Sequence, residues 1–231
     1  MYHSIFISGK NTYTEWGMVP TSRPVVNPPE IKSTQISLPA SDGVLDYTEL
    51  LLGGTPYGQR TGSWEFVLKP GKNWAGVYAD ILNYIHGQVH TVILEDEPNI
   101  QYTGRLTVNQ WLSDPEHSLL TIDYDLDPFR QTVTSTETSD WLWNDLFDTS
   151  IRYGTFTVRG TKYRNLINEG YQPTTPVFTC SAPMTVTFGG ENFSLIAGRN
   201  YNRNLSLQQG DNIMLFSGNG TVNVNYREVY L

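Results

Sequence analysis

The sequence predicts a mainly β protein of two joined β-rich domains, with one amphipathic helix packed on the first. Three observations predict it. Thr, Tyr, Val, Ile, Asn and Gly are abundant while Ala and Lys are sparse, a composition that favours strands and turns. Apolar residues alternate over short runs along most of the chain, and helical spacing is clear only once. Charge is divided unevenly: residues 1–135 hold 8 Lys/Arg against 15 Asp/Glu, whereas residues 153–231 hold 6 against 4. The expected organisation is therefore a β domain over 1–135, a linker or docking segment over 136–152, and a β-sandwich over 153–231.

Residues 2–8 alternate well enough for a first strand. Four prolines in 19–29 exclude a central strand, because proline has no ladder donor, and an extended loop or edge is expected there. Ile31 to Leu38 reads as a strand, and Ser41-Asp-Gly43 as a turn. The polar, Gly-rich passage 44–63 lacks periodicity. It is either a loop or a protruding arm that finds its partner on another subunit. Ser63 to Lys69 returns to strand with Trp64, Phe66 and Leu68 on one face.

Trp74, Val77, Tyr78, Ile81, Leu82 and Ile85 form one apolar stripe at helical spacing, so a helix is expected over about 73–86. Asn73 is placed to cap it and Gly87 to stop it. Strands follow at 89–94, 102–112 and 118–126. Residues 128–138 are Thr- and Ser-rich and read as a boundary. The segment 140–147, aromatic and acidic, fits a short helix or a docking strand. From Gly154 onward the pattern is all β. Gly189-Gly190 is expected to join two strands, and Ser217-Gly-Asn-Gly220 to turn a second hairpin.

Composition also limits function. With 39% hydrophobic and 16% charged residues the chain is expected to pack a core. The single cysteine, Cys180, provides no disulfide framework and reads as a core thiol. No basic leader precedes the short apolar run at the N-terminus, and no stretch reaches the length of a membrane span. A protein folded in a cytoplasm without an anchor is expected. An acidic first domain argues against nucleic acid as a ligand, since phosphate binding needs clustered cations.

Among the residues that carry chemistry, His86 and His90 have the spacing of a helical zinc pair. Gly87 interrupts them, and no third ligand is indicated. Asp123, Asp125 and Asp127 resemble the start of a calcium loop, but Pro128 stands where that loop needs glycine. They read as a solvated acidic face. No nucleophile elbow, phosphate-binding loop or cysteine protease signature occurs. Neither an enzyme, a cofactor nor a metal is expected. Sugar binding is the runner-up, as a carbohydrate-binding module in host-surface adhesion. All six tryptophans precede residue 144, so the last domain would use tyrosines. Asn200-Tyr-Asn-Arg-Asn204 has the Asn and Arg of a lectin strand without its histidine.

Several runs stand out in order along the chain: Val19-Pro-Thr-Ser-Arg-Pro-Val-Val-Asn-Pro-Pro-Glu-Ile-Lys32, Ser41-Asp-Gly-Val-Leu-Asp-Tyr-Thr-Glu49 and Tyr57-Gly-Gln-Arg60. Leu94-Glu-Asp-Glu-Pro98, Ile122-Asp-Tyr-Asp-Leu-Asp-Pro128 and Gly218-Asn-Gly-Thr-Val-Asn-Val-Asn-Tyr-Arg227 follow. Together they resemble the distal tail protein family of long-tailed phages and related prophages. The resemblance implies a structural protein of the virion tail tip, made in the bacterial host cytoplasm. Its N-terminal domain would form a homo-hexameric ring, through which DNA passes without specific binding. It would join the tail tube protein to tail-tip, baseplate and receptor-binding proteins. A C-terminal galectin-like sandwich would sit outside the ring. A closed head-to-tail ring needs two complementary patches on each subunit. Asp42, Asp46, Tyr57 and Arg60 are the residues expected at that contact.

Overall fold

The computed structural model describes residues 3–37, 39, 42–50, 54–69, 73–113, 118–133 and 154–231. The expected linker 136–152, with its Trp141–Phe147 run, lies outside the described residues, as does His117. The fold is mainly β, as the composition predicts, and the chain divides into two compact units, Met1–Arg130 and Gln131–Leu231. Among the described residues no helix is long and apolar enough to cross a membrane.

The first unit contains β1 (Ile5–Ile7), β2 (Lys10–Asn11), α1 (Thr12–Trp16), β3 (Met18–Pro20), β4 (Gln35–Ser37), β5 (Val44–Asp46), β6 (Arg60–Leu68), α2 (Trp74–Ile85), β7 (Gln88–Leu94), β8 (Ile100–Ser113) and β9 (Ser118–Leu126). An antiparallel sheet runs in the order β2-β1-β7-β8-β9-β6-β3. Its inward positions follow the period of two. Trp64, Phe66 and Leu68 of β6 pack with Leu120, Ile122 and Leu126 of β9, all buried. The stripe of α2 closes this core: Ile81 and Ile85 are buried, and Trp74, Val77, Tyr78 and Leu82 pack half-buried around them. Tyr78 stacks on Trp111 at 4.0 Å between ring centroids.

The sequence expectation missed one helix of this unit. A second helix, α1, spans a single turn; the Asn11 side chain accepts the Tyr13 and Thr14 amides at its start, and left-handed Gly17 ends it. The Pro-rich segment follows the extended, edge-like course expected of it and is held there by hydrogen bonds. After the edge strand β3, the Thr21 amide donates to Glu65 O, and Trp64 Nε1 donates to Val25 O at 2.9 Å. Asn27 then donates its backbone amide to the Tyr124 hydroxyl and its side chain to Thr61 O.

The short strand β10 (Arg130–Thr132) leads to the second unit, with β11 (Thr155–Asn168), β12 (Val177–Cys180), β13 (Met184–Phe188), β14 (Glu191–Leu195), β15 (Gly198–Tyr201), β16 (Gly210–Asn225) and β17 (Val229–Tyr230). The strand order is β14-β13-β16-β12-β15, with β11 paired along β16 from Thr155↔Asn223 to Asn168↔Gly210. Phe156, Val158, Phe178, Val186, Phe216 and Val224 fill the interior, and Cys180 is a buried free thiol whose pKa burial raises.

The expected hairpin at 217–220 is instead the middle of one long strand, β16. Glycine is needed there for close approach rather than for a turn. A Cβ on Gly218 would lie 2.7 Å from Met184 Cβ, and one on Gly220 2.7 Å from Ser181 Oγ. This clearance lets β16 pair first with β13, then with β12.

Candidate functional site

Among the described residues, the hairpin of β4 and β5 forms a two-stranded sheet of its own, apart from the large sheet of the first unit. Its register sets Gln35 opposite Asp46, Ile36 opposite Leu45 and Ser37 opposite Val44. All six residues are exposed. A two-stranded hairpin is marginal in water unless a face is covered, and this one presents Ile36 at 48% exposure, Leu45 at 44% and Val44 at 56%. Leu50, beyond it, is 72% exposed. Directly opposed Ile36 and Leu45 share one face of the ribbon, because side chains alternate along each strand.

Local bonds keep the hairpin in shape. The Tyr47 amide donates to Thr34 O, and the Thr34 amide to Thr48 Oγ1. The Asp46 carboxylate accepts the Thr48 amide at 2.9 Å and the Gln35 side chain at 3.3 Å. The Thr48 side chain first, then the Thr48 amide and Gln35, hold the Asp46 carboxyl below its ordinary pKa. Asp46 lines an open groove of about 960 Å³ with Ile31, Gln35, Tyr47, Glu49 and Leu50. The arrangement offers apolar side chains beside two carboxylates, a surface suited to a partner with exposed apolar groups and cations.

The four residues expected at a subunit contact occupy two environments. Asp42, in the turn, and Asp46, on β5, are exposed. Tyr57 and Arg60 lie at the base. Ile31 bridges Tyr57, flanked by the Lys32 amide donating to Pro56 O and the Gly58 amide to Glu30 O. The Tyr57 ring meets Phe129 edge-on at 6.0 Å.

Arg60 is only 6% exposed. Its Nε donates to Pro128 O and its Nη1 to Asn27 O, each at 2.9 Å, and burial pushes its pKa down. Its own unit thus encloses it, and any effect of Arg60 on a contact passes through the Pro-rich segment it holds.

The acidic turn 95–97 has a role that spacing did not reveal. Glu95 accepts the Ser4 amide at 2.6 Å and the Ser4 hydroxyl at 2.8 Å, which hold its carboxyl below its ordinary pKa. Asp96 pairs with His3 and Arg23, and Glu97 with Arg130. These acids tie the first strand and the Pro-rich segment to the sheet. His86 and His90 fall on different elements: His86 ends α2 and its Nδ1 accepts the Val108 amide, whereas His90 sits buried on β7.

On the outward face of the sheet, Asp123 lies between Ser63 and Thr107, and Asp125 between Thr61 and Arg105. Glu65 adds a third carboxylate on the same face.

In the second unit, Asn200 is a structural residue. Its side chain accepts the Ile196 amide and donates to Ile196 O and Gly198 O, at 2.8–2.9 Å. It staples its own turn and has little left for a sugar hydroxyl.

No family model and no curated protein matches the chain. Among solved structures the chain is similar to the crystal structure of the SPP1 Dit (gp 19.1) protein, described as "a Paradigm of Hub Adsorption Apparatus in Gram-positive Infecting Phages". The TM-score is 0.63 at 12% sequence identity, with 100% of each chain covered. Over its full length, then, the chain has the fold of a phage distal tail protein.

Proposed function

We propose that the chain is a structural hub of a phage tail tip, acting by assembly rather than by chemistry. Six first units would close head to tail into a ring between the tail tube protein and the tail-tip or baseplate proteins. The observation that carries this reading is the β4–β5 hairpin, a two-stranded ribbon of its own with Ile36, Val44 and Leu45 exposed. A full-length fold shared with a hub protein supports it. The neighbouring subunit is the cover that a head-to-tail ring supplies, and Asp42 and Asp46 would lie within that contact. The second unit, a galectin-like sandwich in this reading, presents attachment surfaces for receptor-binding proteins.

DNA passes through the ring without specific contacts. The outward face bearing Glu65, Asp123 and Asp125 would repel phosphate and keep DNA from adhering. The assembled protein belongs to the virion tail tip and is made in the host cytoplasm.

The test is the double variant Ile36→Asp, Leu45→Asp. Both side chains are exposed, so the isolated chain should melt within about 2 °C of the parent, as surface changes usually do. Ring formation should be lost. Rings that persist in this variant refute the hairpin contact.

A further inference from the structure

The second unit leaves one long strand edge unpaired. β11 lies along β16 from Thr155 to Asn168, and among the described residues no strand pairs with its other side. In an antiparallel pair, residues alternate between those bonded across the ladder and those whose N–H and C=O face away. Three carbonyls fix the phase. Gly154 O accepts the Val224 amide from β16, whereas Thr157 O accepts Lys162 Nζ and Ile167 O accepts the Tyr226 hydroxyl. Odd-numbered residues of β11 therefore turn their backbone to the outer side. The amides and carbonyls of Thr161, Tyr163 and Asn165 form an unpaired row there, a template for a further strand.

Side chains along this edge are sorted by face. β11 carries Arg159, Lys162 and Arg164 and no acid. The strand bends at left-handed Gly160, φ 73°, and this folds the inner-face cations back over its first half. Lys162 Nζ reaches Thr157 O at 3.1 Å, and the Arg164 guanidinium lies 5.1 Å from the centroid of the Phe156 ring. Burial first, then Arg164, push the Lys162 pKa down. On the outer face stand Tyr163, opposite Leu215, and Ile213, opposite Asn165, at 69% and 64% exposure. An added strand would thus set alternate side chains against crowded cations and against an apolar stripe.

Charge decides the occupant. A second copy pairing antiparallel about Tyr163 would set Lys162 of each copy opposite Arg164 of the other, and directly opposed like charges are destabilising. Carboxylates in those positions gain charge-assisted bonds instead.

We propose that the 161–167 edge of β11 takes up an extended segment of another protein as an added antiparallel strand, one in which acidic and apolar side chains alternate. The acids meet Lys162 and Arg164, the apolar groups meet Tyr163 and Ile213, and the backbone of Thr161, Tyr163 and Asn165 supplies the ladder. The site is independent of the ring, because none of its residues belongs to the first unit.

The probe is a fluorescein-labelled peptide of alternating Glu and Val, about eight residues long, titrated with the full chain and read by fluorescence anisotropy. The expected result is saturable binding, about tenfold or more tighter than that of the matching Lys–Val peptide. N-methylation of the Val residues, whose amides face β11 when Val lies beside Tyr163, should abolish binding; N-methylation of the Glu residues should leave it. Lys162→Glu should weaken the Glu–Val peptide about tenfold or more. Tyr163→Pro removes a donor that faces away from β16, so it should melt close to the parent and lose binding. No binding of the Glu–Val peptide, equal binding of the two peptides, or binding untouched by N-methylation of Val overturns the proposal. A dimer of the parent chain that Tyr163→Pro dissolves would assign the edge to a second copy and overturn it too.

Discussion

Replacing Arg60 with alanine removes a buried cation that holds two backbone segments to the first unit. The carbonyls of Asn27 and Pro128 each lose a charge-assisted donor at 2.9 Å. Such bonds contribute about 1.5–3 kcal/mol each. Both carbonyls are only part-buried and water can reach them in the variant, so the net loss is about 2.5 kcal/mol rather than the full sum. A unit spanning Met1–Arg130 unfolds with about 2.1 cal/mol/K of entropy per residue, which turns that loss into a fall of about 9 °C. Arg60→Lys keeps the charge but not the planar fork, and should recover about half. Differential scanning calorimetry on dilute protein reads the result directly. The first unit's transition should fall while that of the second unit stays put. A fall below about 2 °C would show that the two bonds do not hold the Pro-rich segment. A variant with parental melting but weakened oligomers would place Arg60 at a contact instead.

Glu95 gives a pH prediction. Its folded pKa lies below its ordinary value of 4.5 because the Ser4 hydroxyl and amide bind the carboxylate. A depressed carboxyl stabilises the fold above its unfolded pKa and loses that contribution as pH falls through the folded pKa. First-unit stability should decline as pH drops below about 4.5, and Glu95→Gln should flatten that acid limb in melts at stepped pH. Gly62→Ala places a Cβ 2.6 Å from Tyr124 Cζ and 2.8 Å from the Asn27 amide nitrogen, so it should cost about 1–3 kcal/mol in urea unfolding. Asn200→Ala removes the staple of the 196–200 turn and should lower only the second unit's transition, by about 1–2 kcal/mol. Reversing Asp123 and Asp125 to lysine should slow DNA ejection from assembled particles. Unchanged ejection would remove the charge argument for the channel.

The parts of the fold legible in the sequence were those with repeated local patterns. The stripe from Trp74 to Ile85 placed α2 within a residue at each end, and alternation placed β6, β7, β8 and β9. α1 was not legible because a single turn gives no periodicity; the pairing of Asn11 with Gly17 was its one signal. Glycine misled at 217–220. The dipeptide pattern of a turn and the clearance needed where β16 passes Met184 and Ser181 look alike in sequence.

The candidate site was only partly legible: 44–63 read as a loop or a protruding arm, and its polar, Gly-rich sequence hid β5 and the start of β6. Its details depended on tertiary packing. A charged side chain reads as surface, yet Arg60 is buried because Asn27 and Pro128, distant in sequence, bring carbonyls to it. The acids of the 95–97 turn likewise meet partners that are distant in sequence. Nothing local announces that Ser4, His3 and Arg23 meet them.

The most direct test of the hub reading is the absolute mass of the purified chain by light scattering, with negative-stain images of the same sample. Hollow rings with a mass near six times 26.1 kDa are the predicted result. A monomer at every concentration, or open chains of variable length, would contradict a closed six-fold ring.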